Sequence, residues 1–246
     1  MAPFAWAGSA GSRAVVSLER LVWLDDASRD DHRFLRHTDH CLYFGEFVAG
    51  RGWIGGATNE LIIDFKRAPS RMAASAKSQA TEHFKNRAIT RIARALRRQF
   101  GRAAIETQLT FVPIPPSKIA GETDHCDRLL RTLRLAFAGL DADIRPLLRQ
   151  SVSTAADHTR GPGRTRFAEL LAITHLDPQQ LCRPLRPLVV LFDDVLTSGK
   201  HLAVAQRRIR EAVPEQALIA VLVARRVRPE QSASAPATMA SPGRTR

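Results

Sequence analysis

The residues with the most chemical content in this 246-residue chain lie at 187–202, P-L-V-V-L-F-D-D-V-L-T-S-G-K-H-L. A run of apolar residues stops at two adjacent carboxylates, Asp193 and Asp194. A turn of small polar residues with one glycine follows, and then a helical pattern begins. In an open α/β sheet such a junction lies at the carboxyl end of a strand, where ligands bind. Thr197, Ser198, Gly199, Lys200 and His201 would stand at the helix N-terminus, where backbone N–H groups lack partners and the helix dipole is positive, so a phosphate is held well. Gly199 lets the backbone approach the oxygens closely, and the hydroxyls of Thr197 and Ser198 add donors. Two carboxylates just beyond the strand end repel a phosphate, but they suit vicinal hydroxyls or a divalent cation. Phosphate donors on one side of a turn and hydroxyl acceptors on the other describe a receptor for a ribose 5-phosphate.

A nucleoside-triphosphatase loop is the nearest rival motif, and it fails on spacing. That loop needs glycine five positions before its Gly-Lys pair, where this chain has Asp194, and Ser or Thr after the lysine, where it has His201.

The elements that must position these residues follow from periodicity. Residues 41–48 (CLYFGEFV) are short, aromatic-rich and followed closely by glycine, which predicts a strand. Asn59 is read as the cap of a short helix over 60–66 that stops before Pro69. From 73 to 98, Phe84, Ala88, Ile92, Ala95 and Leu96 recur at helical spacing, predicting the longest helix, with Arg and Lys on its other faces. Beyond 108, strands are predicted at 109–114, 144–148, 188–192 and 217–224. They alternate with helices at 126–138, 167–173 and 200–212, a pattern that argues for parallel βαβ units.

The stretch VVLFDDVLTSGKH resembles the signature of type I phosphoribosyltransferases, which bind phosphoribosyl pyrophosphate (PRPP). That family has an apolar strand, two acids, an aliphatic pair and then Thr-small-Gly. The resemblance implies an α/β fold of the type I phosphoribosyltransferase kind, a mostly parallel twisted sheet flanked by helices with an N-terminal hood. It implies that Asp193 and Asp194 bind the ribose hydroxyls and that Thr197, Ser198, Gly199, Lys200 and His201 bind the 5-phosphate. The run V-P-I-P-P-S-K at 112–118 resembles the diphosphate loop of the competence-type branch, so Ser117 and Lys118 would hold diphosphate oxygens with Mg²⁺ bridging. Tyr43-Phe44-Gly45-Glu46 and the 61–66 segment ending in Lys66 also resemble that branch. Residues 151–166 lie where the family has its mobile loop, which makes Arg160, Arg164 and Arg166 the candidates to meet the departing diphosphate. The chain departs from the branch at His201, usually a small residue. It also lacks the paired-cysteine zinc ribbon, and Asp124-His125-Cys126-Asp127-Arg128 replaces the Arg-Gly-Phe-Asn segment. The implied activity is therefore Mg²⁺-dependent transfer of ribose 5-phosphate from PRPP to a small-molecule acceptor with release of diphosphate, rather than DNA uptake. Some purine enzymes of the family carry an acid where this chain has Thr197. The acceptor is expected against the first hundred residues, with Tyr43, Phe44, Trp53 and Asn59 as candidates. A non-catalytic PRPP- or nucleotide-sensing module on the same fold is the alternative.

Composition sets the outer bounds. A hydrophobic fraction of 44% and a charged fraction of 25% describe an ordinary globular chain. The expected organisation is a loose N-terminus (1–14), a hood with the long basic helix (15–104), a phosphoribosyltransferase core (105–228) and a disordered tail (229–246). The net charge of +13 favours anionic partners, although only five of the 37 basic residues are Lys, an arginine bias that a GC-rich genome also produces. A nucleic-acid role and a homodimer are left open. No apolar run approaches the roughly 20 residues of a membrane helix, so no membrane partner is expected. Three widely spaced cysteines argue against a disulfide framework and for the cytoplasm. His37-Thr38-Asp39-His40-Cys41 offers three zinc-type ligands with no evident fourth, in a spacing that matches no closed site, so no protein-held metal is expected beyond the Mg²⁺ carried by PRPP.

Overall fold

A strand buried on both faces must be apolar nearly throughout, and the two most apolar runs of the chain are its two central strands. The computed structural model describes residues 18–68, 76–154 and 165–231. Residues 1–17, Arg160, Arg164 and the tail from 232 onward lie outside the described residues. β1 (Val22–Trp23) and α1 (Asp26–Arg29) come first, followed by β2 (Cys41–Val48). The helices α2 (Ala57–Phe65), α3 (Ala76–Gln99) and α4 (Arg102–Thr107) lead to β3 (Leu109–Pro113), α5 (Arg128–Ala136) and β4 (Asp143–Ile144). The remainder is β5 (Leu148–Gln150), α6 (Phe167–Ile173), β6 (Thr174–Leu176), β7 (Leu188–Leu196), α7 (Lys200–Ala212) and β8 (Ala217–Val227). Six strands form one sheet in the order β1-β2-β8-β7-β3-β4, parallel except for the antiparallel edge strand β1, while β5 and β6 form a separate antiparallel pair. The chain is thus α/β, with a mostly parallel sheet flanked by helices. Among the described residues no helix is long and apolar enough to cross a membrane.

β7 and β8 bury Val189 to Phe192 and Ala220 to Ala224 almost completely. Each large apolar side chain placed there contributes about 1.5–3 kcal/mol. α3 packs against both α2 and α5, and α7 packs against α6 and β6. β2, from the expected hood, pairs in parallel with β8, so the sheet itself crosses the boundary drawn at residue 105.

Several local expectations are corrected. Asn59 is not a cap but the third residue of α2. It is fully buried, accepting from the Val48 N–H (2.8 Å) and donating to the carbonyls of Val48 and Gly52 (both 2.9 Å), so it clamps the end of β2. Phe84 is 41% exposed and Lys85 takes the inward position, because the Lys85 ammonium finds acceptors inside. The strand predicted at 144–148 is two strands in different sheets. Pro146 cannot donate to a ladder, and the Arg145 guanidinium is held by Asp143 and by the carbonyls of Gln180, Arg183 and Pro184 (2.7–2.8 Å).

Candidate functional site

The strand that carries the acid pair does not end at Phe192. β7 continues to Leu196, and Asp193 still pairs with Leu222 of β8, so both acids belong to the strand rather than lying beyond it. They meet open space for another reason: β3 stops at Pro113, opposite Phe192, which leaves the last turn of β7 without a neighbour on that side. A cavity of about 1210 Å³ opens there, lined by Asp193, Asp194, Thr197 and His201 from the β7–α7 junction and by Ser117, Lys118 and Lys66 from other elements.

The two acids are not equivalent. Asp194 is 4% exposed and forms ion pairs with Lys66 (2.9 Å) and Arg128. Burial by itself would raise its pKa, but these two cations outweigh that and hold the carboxyl well below the usual carboxylate range. Asp193 is half-buried and has no cation of its own among the described residues. Loss of water and the adjacent Asp194 charge push its pKa up, while its Oδ1 accepts the Asp194 N–H at 2.7 Å. A pair of free acceptors matched to two hydroxyls is therefore not what the fold builds. Asp193 is the acceptor left facing the cavity, and Asp194 is the anchor of a three-residue ion cluster. Sequence reasoning did not join Lys66 or Arg128 to the acids, because 66, 128 and 194 meet only through tertiary packing. The single signal was that each sits at the end of a predicted helix, where a long basic side chain can leave the element.

The turn after β7 is shaped by an N-terminal segment. The His32 ring Nδ1 bonds the Thr197 carbonyl, and the Phe34 N–H donates to the Ser198 carbonyl at 3.0 Å. In a trans peptide the carbonyl and the following N–H point opposite ways, so fixing these two carbonyls on 32–34 turns the N–H groups of Ser198 and Gly199 away from it. Neither N–H meets an acceptor among the described residues. Gly199 has φ of +78°, and a Cβ there would lie 2.7 Å from Leu35 Cγ, so both backbone angle and space require glycine. His32 is 1% exposed, and burial lowers its pKa despite the opposing bond to Thr197, which favours a neutral ring donating from Nδ1.

The other expected residues divide. Lys200 is 5% exposed and its Nζ donates to the Thr165 carbonyl at 2.6 Å, so its ammonium secures the chain before α6 and leaves only its backbone for an anion. Ser117 and Lys118 do line the cavity. The Ser117 carbonyl accepts the Thr154 N–H (2.8 Å), and Lys118 lies 3.8 Å from Glu122 in a half-exposed pair. Arg166 caps α6, its N–H donating to Glu169 at 2.8 Å, and it does not line the cavity. Tyr43 and Phe44 belong to the core, and both ends of the Asn59 amide are spent on the β2 clamp. Only Trp53 of the acceptor candidates reaches the cavity rim. It is 47% exposed, with the Arg67 guanidinium 5.3 Å from its ring. Among the described residues no three His, Cys, Asp or Glu side chains gather as a metal cluster.

No family model matches the chain, and no curated protein matches it.

Proposed function

We propose that this protein is a type I phosphoribosyltransferase-like enzyme that binds PRPP and transfers its ribose 5-phosphate to a small-molecule acceptor with release of diphosphate. The observation that carries the reading is the β7–α7 junction, where the N–H groups of Ser198 and Gly199, with no acceptor among the described residues, precede the helix and the Asp193 carboxylate opens on the same cavity as the Ser117–Lys118 loop. In this reading the α7 N-terminus and the Thr197 hydroxyl hold the 5-phosphate. Asp193 accepts a ribose hydroxyl, and Lys66 and Lys118 face the diphosphate and stabilise its charge as it leaves. Holding the sugar between these groups also fixes the orientation in which the acceptor attacks. Trp53 offers an exposed ring to a flat acceptor. The donor set fits Mg²⁺ held mainly by substrate oxygens and water, since Asp193 supplies one free carboxylate and Asp194 is already neutralised. When bound, Mg²⁺ would screen the diphosphate charge.

Calorimetric titration with PRPP and Mg²⁺, followed by turnover over a panel of nucleobase and amine acceptors, tests the reading. Saturable binding and diphosphate release, both lost in the double substitution Asp193→Asn and Asp194→Asn, support it; no PRPP binding at millimolar concentration ends it. The pairing of Asp194 with two cations favours one second reading, a sensor that binds PRPP or a nucleotide without turnover, and binding with no diphosphate release across the panel selects it.

A further inference from the structure

Lysine is almost never fully buried without a charged partner, yet Lys85 of α3 is only 2% exposed. Its Nζ donates to the Arg67 carbonyl at 2.6 Å and to the Cys126 sulfur at 2.9 Å, and no carboxylate takes part in either bond. Cys126 is half-buried and lines the large cavity, so a small solute that enters the cavity reaches the sulfur while the nitrogen behind it stays sheltered. The function proposed above uses neither group. The other two cysteines are internal contrasts. Cys41 is fully buried, with its thiol pushed up to about 12 by loss of water, and Cys182 is exposed with no hydrogen-bond partner among the described residues. Only Cys126 combines access from solvent with a nitrogen at bonding range, and that nitrogen comes from an element 41 positions away in sequence.

We propose that Lys85 and Cys126 form an oxidation-responsive covalent pair, closed by a peroxide that enters the cavity. The thiol is oxidised first: sulfur takes one oxygen from the peroxide to become a sulfenic acid, and the other peroxide oxygen leaves as water. The Lys85 nitrogen, having released a proton, then attacks that sulfur. An S–N bond forms, the S–O bond breaks, the departing hydroxide takes up a proton as water, and the remaining nitrogen proton is shed to solvent. The net change is two electrons and two hydrogens lost from the pair. A thiol reverses it by attacking sulfur and returning the amine. Because Cys126 stands two positions before Arg128, which holds Asp194, the link ties α3 to the wall that carries the ion cluster.

The test is peptide mass spectrometry of the full chain after treatment with dilute hydrogen peroxide, digested with and without a thiol reductant. The expected result is a joined pair of peptides containing residues 85 and 126, lighter by two hydrogens than their sum and separated by the reductant. In Lys85→Arg the joined pair disappears and Cys126 advances to the sulfinic acid. In Cys182→Ser it persists. The proposal is overturned if the peroxide-treated wild-type chain yields no joined pair while Cys126 advances to the sulfinic acid with Lys85 unmodified, or if the joined pair is lost in Cys182→Ser. The wild-type measurement decides the question even if Lys85→Arg fails to fold.

Discussion

Neutralising the two acids one at a time should move stability in opposite directions. The Asp193 carboxyl is pushed up to about 7 from an ordinary 3.8 by burial and the neighbouring Asp194 charge. The native state therefore holds a proton that the unfolded chain releases. That contribution to stability is complete below pH 3.8 and is lost as pH rises through 7. At 1.36 kcal/mol per pKa unit the loss has a ceiling of about 4 kcal/mol, and partial exposure of Asp193 brings the expected figure to about 2 kcal/mol. Asp193→Asn keeps an acceptor for the Asp194 N–H and removes the charge, so its advantage over wild type should be below about 1 kcal/mol near pH 4.5 and about 2 kcal/mol near pH 8.5. Asp194→Asn leaves Lys66 and Arg128 without their carboxylate and should cost about 3–5 kcal/mol near pH 7. Urea unfolding at both pH values measures this. In thermal melts, a change of 1 kcal/mol should appear as a shift of about 2–4 °C. If Asp193→Asn is less stable than wild type near pH 8.5, or if the two substitutions cost the same, the asymmetry described for the acid pair is wrong.

Other substitutions probe the supports around the acids. Gly199→Ala meets both the left-handed backbone angle and Leu35 and should cost about 1–3 kcal/mol; adding Leu35→Ala should recover the steric part alone, as read by denaturant midpoints. Asn59→Ala removes three hydrogen bonds, two of them buried, and should cost about 2–4 kcal/mol, with amide exchange accelerating at Val48 before it does in β7. His32→Ala frees the Thr197 carbonyl, so PRPP affinity in the calorimetric titration should fall by roughly tenfold while the melting temperature moves by only a few degrees.

The sequence made some elements legible to the residue and hid others for physical reasons. α6 and α7 begin and end where their periodicity predicts, at Phe167–Ile173 and Lys200–Ala212, and β2 spans Cys41–Val48 as read. Strand ends were harder. β7 outruns its apolar stretch because β8 continues to pair with it after β3 has stopped, and that depends on a neighbour's length rather than on the strand's own residues. Two-residue β1 and three-residue β6 are too short to carry a period at all. At the site, the order strand, acids, turn and helix could be read because those residues are adjacent. The Lys66–Asp194–Arg128 cluster and the seating of 32–35 on 197–199 could not, because each joins residues more than sixty positions apart. Asn59 misled because a polar residue before an apolar run looks like a cap whether its amide turns to its own helix or to a neighbouring strand.

The strand order has a consequence for how the molecule comes into being. β8 lies between β2 and β7, yet among the described strands it is the last to leave the ribosome. Until it arrives, both flanking strands carry a bare ladder of donors and acceptors, and nascent chains in that condition are exposed to faulty association. A nonsense codon between Leu196 and Ala217 would therefore leave two sheet halves with their adhesive edges open and no central strand to join them.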